Sequence, residues 1–233
     1  AYTAVDKAEQ EPELAHRINA DAAGEIAAAA AEVGAPVIHL STDYVFGGAG
    51  TAPMREDEPI APLGAYGHSK AEGEKAVRKA QGDHLILRTA WVYSPFGANF
   101  VKTMLRISRE REEIAVVADQ VGSPTNALDL ADVILELARR RLQGDASGWG
   151  ETYHAAGSGQ ASWAEFAGEI MHLSGASTRI RPIATAEFLT PARRPSWSVL
   201  DGSKLHAGFG LALPEWRRSL PAVVSRLVAE AAA

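Results

Sequence analysis

"PVIHLSTDYVF", Pro36 to Phe46, is an apolar run that passes into Ser41, Thr42 and Asp43 before turning apolar again. A short apolar run bounded by turn residues is the form taken by strands buried on both faces of a parallel sheet. Open parallel sheets bind their ligands outside the carboxyl ends of strands, so the two hydroxyls and the carboxylate stand where a site is built.

Upstream, Leu14 to Val33 reads as an alanine-rich helix stopped by Gly34 and Pro36. Downstream comes a long loop with Gly48, Pro53, Pro59 and Pro62, then a helix from about Tyr66 to Ala80 and a strand over "HLILRTAWVY". A helix over "NFVKTMLRISRERE", a strand at "EIAVVAD" and an amphipathic helix over "ALDLADVILELARRRL" follow. After Gly144 the pattern shortens: a strand near "TYHAAG", a helix over "SWAEFAGEIMHLSG", a strand at "RIRPIA", a loop with proline and arginine, and a last helix. Strands alternating with helices predict an α/β fold with a doubly wound parallel sheet. The expected division is residues 1–150 for the sheet domain and 151–233 for a smaller lobe, with contributions to that lobe from about 95–125.

Composition narrows the function classes. The net charge of −6 disfavours nucleic acid and anionic membrane surfaces, which select basic patches. The absence of cysteine excludes disulfides, thiolate metal sites and a cysteine nucleophile. The seven histidines show no ligand spacing, so the sequence names no metal site. No apolar run approaches the roughly 18 residues of a membrane span, and a cytoplasmic protein is expected.

"YGHSKAEGE" begins the helix after the long loop, and places Tyr66 and Lys70 four residues apart on one helical face. A phenol with its ordinary pKa near ~10 is a poor acid–base catalyst at neutral pH. A neighbouring ammonium favours the phenolate, so Lys70 is expected to lower the Tyr66 pKa. Thr42 could hold the same substrate oxygen. That arrangement suits the movement of a proton on or off an oxygen while hydride reaches or leaves its carbon. Taken singly, each element has a plainer reading: an exposed helical pair, or a turn cap after a strand.

Together, "STDYVF", "YGHSKAEGE", "RTAWVY", "DQVGSPT" and "RRPSWSVLD" resemble the dTDP-4-dehydrorhamnose reductase family of extended short-chain dehydrogenases/reductases, from the first residue to nearly the last. The resemblance implies a Rossmann-like fold with a C-terminal substrate-binding lobe. It also implies NADPH- or NADH-dependent reduction of the 4-keto group of a dTDP-sugar. By resemblance, Tyr66 is the proton donor, Lys70 binds the nicotinamide ribose and tunes Tyr66, and Thr42 completes the catalytic set. Thr42, Asp43 and Trp91 would contact the sugar nucleotide, with Asn99 and Arg194 as further substrate-site candidates. Ala1, Tyr2 and Thr3 would pass along the cofactor. Some members use Mg²⁺ at a subunit contact, and a homodimer is possible, but no residue here identifies the metal's ligands.

The departure from the family is at the front. No G-x-G-x-x-G turn occurs, and "GGAG", "GSG" and "GFG" lack its third glycine and its strand–helix setting. The sheet is therefore expected to be N-terminally truncated, without the turn that holds a pyrophosphate. Two other readings compete. A sugar-nucleotide epimerase or dehydratase shares Y-x-x-x-K, but dehydratases of that group usually carry Asp-Glu after the threonine, where this chain offers only Asp43. A non-catalytic subunit, similar to the regulatory subunit of methionine adenosyltransferase, is the third.

Overall fold

The computed structural model describes residues 1–48 and 50–232. Short helices α1 (Val5–Ala8) and α2 (Pro12–His16) lead through a π-helical turn, Arg17–Asp21, into α3 (Ala22–Glu32). The single helix predicted over 14–33 is thus a helix with a wide turn inside it. It stops where Gly34 takes a φ of 65°, a conformation that costs glycine little.

The main sheet comes next. Strand β1 (Val37–Thr42) is followed by α4 (Ala65–Ala80) and β2 (His84–Thr89), and the two strands run parallel from Val37–His84 to Thr42–Thr89. Strand β2 is buried throughout, whereas β1 has no partner on its outer edge among the described residues and leaves Leu40 42% exposed. The chain then turns sharply at Trp91 and continues as β3 (Val92–Tyr93), α5 (Phe100–Ile107), β4 (Glu113–Val117), β5 (Val121–Gly122), β6 (Thr125–Asn126) and α6 (Ala127–Leu142). Leu85 and Leu87 of β2 pack against Leu130, Val133 and Leu137 of α6. Fully burying an aliphatic side chain is worth about 1.5–3 kcal/mol, so this face ties α6 firmly to the sheet.

Beyond α6 lie β7 (Glu151–His154), β8 (Ala161–Ser162), α7 (Trp163–Ser174), β9 (Arg179–Ile183), β10 (Trp197–Ser198), α8 (Ser203–Phe209) and α9 (Trp216–Ala232). Strand β7 is hydrogen-bonded parallel to β2, giving the order β1-β2-β7, and Leu205 and Phe209 of α8 join the core beneath it. A division at residue 150 therefore cuts through the sheet domain. The local pattern of "TYHAAG" shows a strand but not its partner, and the partner is β2. The other lobe pairs β4 with β9 and packs α5, α7 and α9 around Phe166, Ile170, Trp216 and Leu220. "HLILRTAWVY" was expected as one strand; Trp91, at φ 47°, breaks it into β2 and β3 and sends the second piece to the lobe. No helix among the described residues is long and apolar enough to cross a membrane.

Candidate active site

The two glycines of "YGHSKAEGE" explain how α4 reaches the strand ends. A Cβ on Gly67 would lie 2.2 Å from the Tyr44 carbonyl oxygen, and one on Gly73 would lie 2.1 Å from the Asn19 carbonyl oxygen. Only bare backbone allows both approaches, and they bring Tyr66 and Lys70 against the carboxyl end of β1.

Thr42 closes β1 and is nearly inaccessible. Its hydroxyl accepts from the Tyr44 amide at 3.2 Å, capping the short helical turn Asp43–Val45, and donates to Asp43 Oδ1 at 2.9 Å. Tyr66 stands beside this turn, its ring edge-on to Tyr44 with centroids 5.5 Å apart. Burial pushes the Tyr66 phenol up to about 12; the Thr42 hydroxyl pulls it down and the Asp43 carboxylate pushes it further up. Burial also raises Asp43, to about 6, against the Thr42 hydroxyl. The Thr42 hydroxyl is bonded to the Asp43 carboxylate, and the phenol is buried next to the pair.

Lys70 is brought to the site but does not act on the phenol in the expected way. Its Nζ donates to the Leu40 carbonyl at 2.6 Å and lies 3.5 Å from His39 Nε2. The ammonium is therefore directed at the strand backbone, and the phenol stays above its ordinary value rather than below it. Burial draws Lys70 itself down to about 8, with Glu74 opposing. His39 falls to about 4 through burial and the nearby Lys70 charge, so it is a neutral neighbour.

Tyr2, between Ala1 and Thr3, is tied to α4 through a residue that sequence reading passed over. Asn19, buried in the π-helical turn, accepts from the Tyr2 amide at 2.8 Å and donates to the Tyr2 carbonyl at 2.9 Å. The same Asn19 amide nitrogen reaches Ser69 Oγ at 3.0 Å, next to Lys70. Wide helical turns recur at functional positions, but a 3.6-residue period does not reveal them. The one available signal was a lone amide in an alanine-rich helix.

Trp91 stands at the junction of the two lobes. It is the one residue other than glycine with a positive φ among the described residues, a conformation that costs an indole-bearing residue free energy. Its ring stacks on Trp163 at 3.5 Å and 5°, and Gly122 leaves the space that the indole fills. Trp163 in turn lines a cavity of about 650 Å³, together with Phe100, Phe188, Arg111, Arg181 and Arg194. Arg194 pairs with Asp6 at 2.7 Å, fastening the C-terminal loop to α1. Asn99 is engaged within the chain: its Oδ1 caps α5 by accepting from the Lys102 amide, and its nitrogen donates to the Ser94 carbonyl at 2.7 Å.

Several buried polar atoms at the carboxyl ends of the strands have no hydrogen-bond partner: Ser41 Oγ and Asp43 Oδ2 at β1, Thr89 Oγ1 at β2 and both ring nitrogens of His154 at β7. Thr89 stands opposite Thr42 in the β1–β2 register. Buried polar groups are rarely left unpaired, so Asp43 and Thr89, the ones flanking Thr42, fit a polar ligand at the carboxyl edge. Among the described residues no group of three or more His, Asp or Glu side chains is placed to hold a metal ion.

Known proteins resemble this chain along nearly its whole length. The RmlD substrate binding domain family matches residues 1–229. The dTDP-4-dehydrorhamnose reductase of Sinorhizobium fredii is 47% identical over 99% of this chain and 79% of its own length. The crystal structure of the corresponding Clostridium acetobutylicum protein superposes with a TM-score of 0.92 at 41% identity, covering 97% of this chain and 78% of that one. The Bacillus anthracis dTDP-4-dehydrorhamnose reductase in complex with NADP gives 0.89 at 40% identity, covering 99% and 78%. With a Rossmann-type sheet, its tyrosine–lysine helix and these relatives across nearly every residue, the chain belongs to the dTDP-4-dehydrorhamnose reductase family.

Proposed function

We propose that this protein is an NAD(P)H-dependent oxidoreductase of nucleotide-sugar biosynthesis. It reduces the 4-keto group of dTDP-4-dehydro-6-deoxy-L-mannose (dTDP-4-dehydrorhamnose) to give dTDP-L-rhamnose. The observation that carries the reading is the buried Tyr66 phenol set beside the turn where the Thr42 hydroxyl donates to Asp43, at the carboxyl edge of a parallel sheet.

Reduction of a ketone needs an acid that still holds its proton when the carbonyl arrives. A phenol pushed up to about 12 meets that need at neutral pH. Tyr66 donates to the C4 oxygen and releases its proton as negative charge develops there. Thr42, whose hydroxyl is turned to Asp43, rotates to share the same oxygen, and Asp43 then accepts from a sugar hydroxyl. The nicotinamide supplies the hydride when bound. Lys70 and Tyr66, with Ala1, Tyr2 and Thr3 alongside, hold its ribose in this reading.

Trp91 offers the sugar an aromatic wall beside the strand end. The 650 Å³ cavity takes the nucleotide, with Arg111, Arg181 and Arg194 facing the diphosphate and Phe100 and Trp163 available to the base. Asn99 serves by holding the start of α5 at that cavity. The dehydratase reading lacks its base: Tyr44 follows Asp43, and burial raises that phenol still further.

The reaction belongs in the cytoplasm, where nicotinamide cofactors are supplied. A homodimer is the inferred assembly, supported by an outward stripe of Leu128, Leu135 and Leu142 on α6, 44%, 66% and 80% exposed. Asp132 and Glu136 precede Arg139 and Arg140 along α6, so an antiparallel second copy sets acids against arginines. A monomer by sedimentation at micromolar concentration rules the dimer out.

For the activity, the protein expressed from its native gene is incubated with dTDP-4-dehydrorhamnose and each reduced cofactor, and the product is identified by NMR. Formation of dTDP-L-rhamnose is expected. Cofactor oxidation to another sugar, or none with either cofactor, overturns the proposal.

A further inference from the structure

The face of α4 that carries Tyr66 and Lys70 continues at the same four-residue spacing to Glu74 and Arg78. Glu74 is wholly inaccessible, and Arg88, facing it from β2, is 1% exposed. Arg88 Nε donates to Glu74 Oε1 and Nη2 to Oε2, each at 2.8 Å, a planar two-point pair. Arg78 Nη2 adds another bond to Oε2 at 2.8 Å and reaches Thr152 Oγ1 of β7 at 3.0 Å. The remaining Arg88 nitrogen donates to the Glu56 carbonyl at 3.3 Å. One carboxylate thus joins α4, β2 and, through Arg78, β7.

Its charge surroundings are unequal. Glu74 faces two guanidiniums, and one helical turn away lies the Lys70 ammonium. Around Lys70, β1 presents the neutral His39 and the Leu40 carbonyl, and α4 presents Glu74. Arg78 and His84 stand beyond His39, and Arg88 beyond Glu74. A buried ion pair is seldom more stabilising than apolar packing of the same volume. Its position directly beneath the Tyr66–Lys70 face therefore suggests a task other than stability.

We propose that Glu74 is a positioning residue of the reductase site: clamped by Arg88 and Arg78, it fixes the register of α4 on the sheet and serves as the counter-charge that keeps Lys70 an ammonium. Burial raises the Glu74 carboxyl, yet Arg88 and Arg78 bring it below its ordinary value, so it is ionised wherever Lys70 titrates. Lys70 is drawn down to about 8 by burial, and Glu74 is the charge acting against that fall. The link from Lys70 to turnover rests on the proposed function above, whereas the charge relation itself does not.

The experiment follows the titration of Lys70 by NMR in the whole chain labelled with [6-¹³C]lysine, with Lys70→Met used to assign its signal. Glu74→Gln keeps the shape and removes the charge. The Lys70 midpoint then falls by ~1 unit, about a tenfold loss of proton affinity, as expected for removal of a nearby opposite charge. A purely structural role predicts the other sign, because loosening the clamp admits water and raises a desolvated lysine. An unchanged or raised midpoint overturns the proposal. If Glu74→Gln does not fold, Arg78→Gln decides, since Arg78 lies at the partly exposed end of the cluster. It frees Glu74 from a competing cation, so the midpoint rises, and no change overturns the proposal. In the protein expressed from its native gene, the alkaline limb of the turnover profile moves down with the Glu74→Gln midpoint. If the midpoint moves and that limb does not, Glu74 is still the counter-charge and the cofactor role of Lys70 fails.

Discussion

Helix α4 looks onto two polar layers of the same sheet, and they are built on opposite terms. At its middle and C-terminal end, Glu74, Arg78, Arg88 and Thr152 are joined by bonds of 2.8–3.0 Å, and both Glu74 oxygens are engaged. At its N-terminal end, Tyr66 meets Thr42 and Asp43, where Asp43 Oδ2, Thr89 Oγ1 and Ser41 Oγ are buried and bond to nothing. The inner carboxylate, Glu74, is paired at both oxygens and the outer one, Asp43, at only one. In that sense the inner layer is closed and the outer layer is open, with the unpaired imidazole of His154 at the inner layer's border. A closed layer resists change through its own pairing, while an open one keeps a desolvation penalty that a ligand can relieve. The difference separates what holds the fold from what awaits chemistry, and it can be attacked from either side.

Breaking the closed layer gives the largest effect. Arg88→Met leaves Glu74 buried with only Arg78, and removal of one partner from a buried pair costs about 3–5 kcal/mol. Urea unfolding of the variant is expected to show that loss as a lower midpoint at unchanged slope. A loss under ~1 kcal/mol would mean that the layer is less closed than its distances say.

In the open layer, Tyr66→Phe keeps the ring and removes one hydroxyl. Turnover falls ~10²-fold or more while the urea midpoint and sugar-nucleotide affinity stay near those of the unaltered protein. Near-normal kcat would remove Tyr66 from the role of acid and put the comparison on different residues. The two variants together form a cross: one loses stability, the other rate.

Much of the open layer was legible in the chain. The apolar run before Ser41 predicts a buried strand, the i, i+4 spacing puts Tyr66 and Lys70 on one face, and Thr42 follows from its place at a strand end. The closed layer was not. Glu74 and Arg88 are fourteen residues apart on different elements, and only the β1–β2 register with Gly67 and Gly73 in place brings them together. Two further features escaped for the same kind of reason. The break at Trp91 depends on its stack with Trp163, and the inward turn of Lys70 depends on the Leu40 carbonyl. A local pattern reports propensity and face, but not the tertiary partner that overrides them.

Acid tests the borders of both layers. His39 sits beside Lys70 and His154 ends β7 near Arg88; burial lowers them to about 4 and about 3. Their folded values lie below the ordinary 6.5, so the unfolded chain binds more protons as pH falls through that window. Stability should therefore decline from pH 6.5 down to about 4. Asp43, raised to about 6, opposes this because protonation there favours the folded form. Two histidines against one carboxyl leave a net fall. Calorimetric melts between pH 7 and 4 should show Tm dropping, with a shallower slope for His39→Gln. A flat profile would mean that the imidazoles are more hydrated than their surroundings imply.

The smallest effect is the most pointed one. Thr89 Oγ1 is buried, unpaired, and opposite Thr42, so in the open layer its hydroxyl is a cost to the fold. Thr89→Val replaces it with a methyl of nearly the same shape on a strand that favours β-branched residues. Losing an unsatisfied buried hydroxyl without leaving a hole is neutral or stabilising, by up to about 1 kcal/mol, so Tm should hold or rise by a few degrees. If the hydroxyl waits for a polar ligand, the same change weakens binding of cofactor or sugar nucleotide severalfold. Calorimetric titration of both ligands against the variant and the unaltered protein reads this directly. A lower Tm with unchanged affinities would make Thr89 part of the closed layer, and the boundary between the two would have to be redrawn past the end of β2.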